Sequence, residues 1–158
     1  VVKNQTVDLL ISHNQIQIRS RPFDESLCQW GKENVNQGVV IHKDYIVFDP
    51  LPDDAFGANI HLILAPNFNI DPLSQRCMIV PFYVTDKDKL EIASVSEKFK
   101  IKLDLKEQYY SLYYEICEDE EIFYKFTFVP SESVAKAKYL LDDPWGGEKD
   151  KVLLEGTI

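Results

Sequence analysis

Basic charge is scarce in this chain. Its 158 residues hold 17 Lys and Arg against 26 Asp and Glu, a net charge of -9 at pH 7. A nucleic-acid binder needs clustered cations that meet phosphates and release counterions, and an anionic lipid surface makes the same demand. The balance instead suits a basic partner, or simply solubility. Cysteine is sparse too: Cys28, Cys77 and Cys117 are odd in number and show no CxxC spacing. Neither a disulfide framework nor a zinc site is indicated, and a reducing cytoplasmic interior is expected. Cys77 and Cys117 fall in strand-like runs, where a free thiol packs as a small hydrophobe. Long apolar runs are missing. The longest, residues 77–84, is interrupted by Pro81 and is far short of the ~18 residues that a span requires. With no basic start followed by an apolar stretch, the chain reads as soluble, without direct membrane insertion. Six glycines leave little room for phosphate cradles, and no G-x-S-x-G, Walker-type or G-x-G-x-x-G pattern occurs.

What the chain has is alternation. In Lys98-Phe99-Lys100-Ile101-Lys102-Leu103 a period of two predicts a half-buried strand, with Phe99, Ile101 and Leu103 on one face and lysines on the other. Similar patterns cover residues 9–18, 45–48, 60–64, 76–84, 90–95, 109–116 and 122–129. Turn chemistry punctuates them at residues 49–54, 67–72 and 86–88, rich in Asp, Asn and Pro. Two stretches invite a helix: residues 24–37 with Gly38 as a stop, and residues 131–139, where Ser133 caps a turn although Pro130 also fits a plain loop. The expectation is an all-β chain, or a β-rich one with one or two short helices, folded as an antiparallel β-sandwich. No repeat or linker divides it, so a single domain is expected over residues 1–158. Residues 142–158, with Pro144, Gly146 and Gly147 around Trp145, read as an irregular tail pinned by one aromatic ring.

No catalytic set emerges. The three histidines, His13, His42 and His61, form no HxH or HxxxH pair. His13 meets Cys28 as nucleophile and base only if the fold brings them together, and structural hydrogen bonding is the simpler reading. His61, between Ile60 and Leu62, is expected to point away from the core. Asp86-x-Asp88, Asp53-Asp54 and Asp142-Asp143 offer the hard oxygens that calcium prefers, but Asp-Lys-Asp-Lys is also ordinary hairpin chemistry. Nothing selects a glycosidase pair from 26 carboxylates. The chain is read as a non-enzyme, with no cofactor and no metal ligands assigned.

The densest feature is Glu115-Ile116-Cys117-Glu118-Asp119-Glu120-Glu121, five carboxylates in seven residues. Lying between two aromatic-rich strand patterns, Glu118 to Glu121 are expected at the tip of a hairpin. That tip is either a solvated turn or a presented anionic patch able to occupy a site built for phosphates. Lys98, Lys100, Lys102 and Lys106 form a basic counterpart upstream that would neutralise it if they met across a sheet.

Several separated segments together resemble the bacterial competence protein J family. They are Ile11-Ser12-His13-Asn14-Gln15-Ile16, Trp30, Asn36-Gln37-Gly38, Ile46-Val47-Phe48, Val80-Pro81-Phe82-Tyr83-Val84-Thr85, Glu91-Ile92-Ala93-Ser94 and Tyr110-Ser111-Leu112. Their order and spacing match over roughly residues 7–115. The resemblance implies a small acidic inhibitor that binds and restrains a DNA-entry nuclease, a metal-dependent, non-specific enzyme that degrades one strand during transformation. This chain departs from the pattern in a longer acidic hairpin and an extended Pro-Trp-Gly-Gly tail. The partner-binding residues then expected are Glu118, Asp119, Glu120 and Glu121, with Asp142, Asp143 and Trp145 as a second patch in which the indole is an anchor. Such a protein works in the cytoplasm and reaches the membrane only through its partner. The competing reading is a β-sandwich module for calcium, carbohydrate or lipid, using the Asp-rich loops and Tyr83, Tyr113 or Trp145. The face carrying Tyr109, Ser111 and Tyr113 is either a homodimer surface or ordinary core.

Overall fold

The computed structural model describes residues 3–51 and 57–156. The described residues form eleven strands in two sheets. The first sheet runs in the order β1 (Asn4–Leu10), β5 (Gly57–Leu64), β10 (Ile122–Pro130), β9 (Tyr109–Glu118), β6 (Ser74–Tyr83) and β11 (Lys138–Tyr139). The second runs β3 (Val39–His42), β4 (Tyr45–Phe48), β2 (Ile16–Arg19), β7 (Glu91–Ala93) and β8 (Lys98–Lys100).

Alternation dictates the packing. On β9 the even residues Tyr110, Leu112, Tyr114 and Ile116 face inward, as do Tyr124, Phe126 and Phe128 on β10 and Met78, Val80 and Phe82 on β6. The second sheet answers with Ile16, Ile18, Ile46, Phe48 and Ile92. Phe48 links the layers, its ring centroid 4.4 Å from that of Tyr114 and 5.2 Å from that of Phe126. The buried phenols keep a polar partner, as an enclosed hydroxyl requires: Tyr114 donates to the Asp49 carbonyl at 3.0 Å and Tyr124 to the Pro50 carbonyl at 2.8 Å. The outer face of the second sheet is covered in turn, with Leu27, Cys28 and Trp30 lying over Val40, Tyr45 and Val47.

The two-layer β architecture follows the alternation, with three local departures. One pairing, β5 with β10, is parallel while the others are antiparallel. More than fifty residues separate these strands, so no tight turn forces them antiparallel. The run at residues 9–18 is two strands in different sheets, because His13 and Asn14 take left-handed φ values of 55° and 51° and turn the chain. In the lysine-rich run the ladder stops at Lys100 and Phe99 is left 38% exposed, though Ile101 and Leu103 are buried. There the chain leaves the sheet and is clamped by the Gln5 side chain of β1, which donates to the Lys100 carbonyl at 2.9 Å and accepts from the Lys102 amide at 2.7 Å.

The helices are shorter than expected. Residues 24–37 split into a 3-10 turn, Glu25–Cys28, and one α-helix, α1 (Lys32–Gln37). Gly38 ends α1 with φ 83° and donates to the Asn34 carbonyl at 2.8 Å. A side chain there would also collide with Arg76, whose Nη1 lies 2.6 Å from where a Cβ would stand. Residues 131–137 form no helix: the Ser131 hydroxyl bonds the Ser133 carbonyl, a local bond that competes with helix, and Lys138 and Tyr139 join β6 as β11.

From β11 the tail crosses from one sheet to the other. Leu140 donates to the Cys77 carbonyl at 2.8 Å, and Gly156 donates to the Ile41 carbonyl of β3 at 2.7 Å. Its anchor is Arg76, whose Nε and Nη2 meet the two Asp143 oxygens at 2.7 and 3.0 Å. The two side chains are 1% and 0% exposed. The guanidinium also lies 5.2 Å from the Tyr139 ring centroid and 5.8 Å from that of Trp145. Removing one member of a buried pair strands the other charge, at a typical cost of about 3–5 kcal/mol. Asp143→Ala should therefore lower stability by that order in urea unfolding, and a loss below ~1 kcal/mol would mean the tail is held by something else.

Candidate acidic interface

The hairpin β9–β10 presents the acids. Glu118 pairs with Ile122 as the last rung, and the Asp119 amide donates to the Glu121 carbonyl at 3.1 Å to close the tip. Glu118, Asp119, Glu120 and Glu121 are all exposed. None of the four ion-pairs with a cation among the described residues. The expected basic counterpart does not reach them: Lys98 is on β8 of the other sheet and faces Glu91 at 3.5 Å. The field of the tip is thus left to solvent, salt or a partner.

Glu115 does not belong to that patch. It lies on the outer face of β9, fully buried, beneath a loop at residues 66–73. Phe68 of this loop stacks on Tyr113 with centroids 3.9 Å apart, and the Asp71 amide donates to Glu115 Oε2 at 2.9 Å. Glu115 Oε1 has no hydrogen-bond partner among the described residues. Burial pushes the Glu115 pKa up, against the pull of the Asp71 amide and of Lys125. For Asp71 the outcome reverses: burial raises its pKa, but the Leu73 amide and the Lys125 ammonium at 2.9 Å outweigh it and the value falls. Burial likewise lifts the Cys117 thiol to about 12, so this cysteine is an inert packing group.

Strand register places these residues in one row across the sheet, in which Thr6 neighbours His61, His61 neighbours Lys125, Lys125 neighbours Glu115 and Glu115 neighbours Cys77. Toward the tip, His61 and Phe123 meet edge-on, centroids 5.6 Å apart at 88°. Together with Asn59 and the residues 119–121 of the tip they line a groove of about 260 Å³. His61 is indeed turned from the core, but its companionship with Phe123 and the tip was hidden in the sequence, because only the parallel β5–β10 pairing creates it.

The second candidate patch is not assembled as expected. Asp143 is turned inward, its carboxylate held by Arg76 and by the Trp145 and Gly147 amides at 2.9 and 2.8 Å. It is therefore removed from the surface contacts. Asp142 is exposed and accepts from the Lys149 amide at 2.8 Å, and Trp145 lies over Arg76, 37% exposed. Among the remaining residues considered for chemistry, Cys28 meets the Tyr45 hydroxyl at 3.3 Å rather than His13, which sits in the β1–β2 turn. Asp86 accepts from the Asp88 amide at 2.9 Å and caps a 3-10 turn. Asp53 and Asp54 lie outside the described residues. Tyr83 packs edge-on against Tyr109, with Lys43 4.5 Å above its ring, and Tyr113 is covered by Phe68. Among the described residues no group of three or more His, Cys, Asp or Glu side chains is placed to hold a metal ion, and no helix is long and apolar enough to cross a membrane.

Comparison with known proteins gives two matches. A family model described as Competence protein J (ComJ) matches residues 8–129, from β1 to the end of β10. The acidic tip lies inside that match and the Trp145 tail outside it. The fold is similar to the crystal structure of ComJ from Bacillus subtilis, described as an inhibitor of the DNA degrading activity of NucA. That similarity has a TM-score of 0.67 at 19% identity and covers 80% of this chain and 96% of that one. No curated protein matches.

The buried Glu115 makes stability depend on pH in a defined direction. Its pKa is raised in the fold, so the folded state keeps a proton that the unfolded chain releases near the ordinary 4.5. Stability from this residue is greatest below that pH and falls as pH rises through the folded-state value. Glu115→Gln should therefore melt with wild type near pH 4 and above it at pH 7. A variant less stable than wild type at pH 7 would show that the fold favours the charged carboxylate.

Proposed function

The chain belongs to the competence protein J family, and from that premise we propose that it is an acidic inhibitor which binds a DNA-degrading nuclease and blocks the access of DNA to it. The observation that carries the reading is the tip of β9–β10, where Glu118, Asp119, Glu120 and Glu121 are exposed and unpaired by any described cation. The inhibitory role described for the similar Bacillus subtilis ComJ supports it.

A nuclease that takes DNA without regard to sequence must hold the phosphate backbone with clustered cations. Carboxylates fixed on a strand-anchored hairpin compete for those cations, and because the tip is not neutralised internally it steers the encounter as well as filling the site. No bond is made or broken in the inhibitor. Its rigidity matters, since a preformed tip loses little conformational entropy on docking, and the paired strands beneath it supply that rigidity. The protein acts in the cytoplasm and approaches a membrane only where its partner does.

Replacing Glu118, Asp119, Glu120 and Glu121 with Ser should weaken inhibition of the cognate nuclease roughly tenfold or more at low salt, with a shallower salt dependence than wild type. The melting temperature should hardly move, because each of these side chains is exposed and makes no internal pair. A DNA-degradation assay run against an ionic-strength series decides the matter. Inhibition equal to wild type across the series would place the interface elsewhere.

A further inference from the structure

The loop at residues 66–73 covers only part of the outer face of the first sheet, reaching Tyr113, Glu115 and Lys125. Toward β1 and β5 the described residues leave Thr6, Asp8 and Asn59 exposed, and there the groove beneath the acidic tip has an unusual make-up. Its floor is two rings at right angles, His61 and Phe123, and one wall is Asp119, Glu120 and Glu121. Asp8, exposed on β1 opposite Asn59, adds a further carboxylate on the same face. The adjoining cavity of about 320 Å³ shares His61 and Phe123, but its charges are already matched as Lys125 with Asp71.

We propose that the groove on the tip side takes one guanidinium group from an arginine of the basic protein that the tip meets, with the Phe123 ring beneath it and the tip carboxylates beside it. The inference rests on the inhibitor reading for the identity of the partner, and on the geometry alone for the chemistry of the ligand. An anion is repelled by the wall, and a purely apolar group would leave three carboxylates desolvated and unpaired. An ammonium answers the charge but is compact and strongly hydrated. A guanidinium is planar and weakly hydrated, stacks on aromatic faces, and offers a fork of donors to carboxylates. At about 260 Å³ the groove has room for one such side chain.

The test titrates the purified protein with hexa-arginine and with hexa-lysine by calorimetry at low salt. Phe123→Ala, Phe123→Leu and the combined variant Asp119→Asn, Glu120→Gln, Glu121→Gln are run beside it, with thermal melts to verify the fold. Wild type is expected to bind hexa-arginine more tightly than hexa-lysine. Both Phe123 variants should lose that preference, weakening hexa-arginine by about three- to tenfold and leaving hexa-lysine nearly unchanged. Phe123→Leu keeps the bulk while removing the ring, so it decides the question if the alanine variant fails to fold. The combined acid variant should weaken both peptides. Equal affinity of wild type for the two peptides, or a preference that survives both Phe123 changes, overturns the groove. A parallel nuclease assay separates the two ideas: inhibition without an arginine preference removes the groove and keeps the inhibitor, whereas an arginine preference without inhibition of any nuclease does the reverse.

Discussion

Arg76 has no water to turn to. It is enclosed among β6, the end of α1 and the tail, and its guanidinium is satisfied only when Asp143, Tyr139, Trp145 and the Gln37 carbonyl stand around it together. Gln37 ends α1 and the other three lie within residues 139–145, so one side chain fixes where the helix stops and how the tail returns. A buried pair of this kind is often no more stable than apolar residues of the same volume. What it contributes is selectivity, since the planar fork fits its carboxylate in one orientation. Gly38 and Gly147 are its corollaries: a Cβ at Gly147 would stand 2.0 Å from Asp143 Oδ2, and one at Gly38 would press on Arg76.

With the tail held, two edge strands each gain a bridge. Gly156 bridges to Ile41 at the edge strand β3, and Val152 to Lys138 at the edge strand β11. On the opposite side Gln5 of β1 binds the chain that leaves β8. Unpaired strand edges invite other chains to add to them, and these contacts occupy part of them.

The sequence disclosed the interior better than the surface. Alternation in β9 and β10 identifies both strands nearly to their ends, and the acid run between them identifies the tip, because hairpin pairing is local. Glu115 was grouped with that run because a one-dimensional pattern carries no sign of the loop that folds over it from forty residues upstream. The lysines near residue 100 were matched to the tip on charge alone, and the division of strands between two sheets keeps them apart. His61 and Phe123 are sixty residues apart in the chain and adjacent in space, a consequence of long-range pairing that no periodicity reports. Asp143 looked like half of an acidic doublet. Only the three-dimensional position of Arg76 tells it from Asp142.

The parallel pairing of β5 with β10 also governs when the protein can assemble. β5 has an early partner in β1, but its other neighbour spans Ile122–Pro130, so during synthesis the middle of the first sheet must wait until the ribosome has released Pro130. Contacts between such distant segments slow folding, since loop-closure entropy is lost before they form. β1 and β5 meanwhile expose a pairing edge and the apolar faces of Val7, Leu9, Ile60 and Leu62. The nascent chain therefore passes through a stage at which chaperone capture and self-association compete with completion of the sheet.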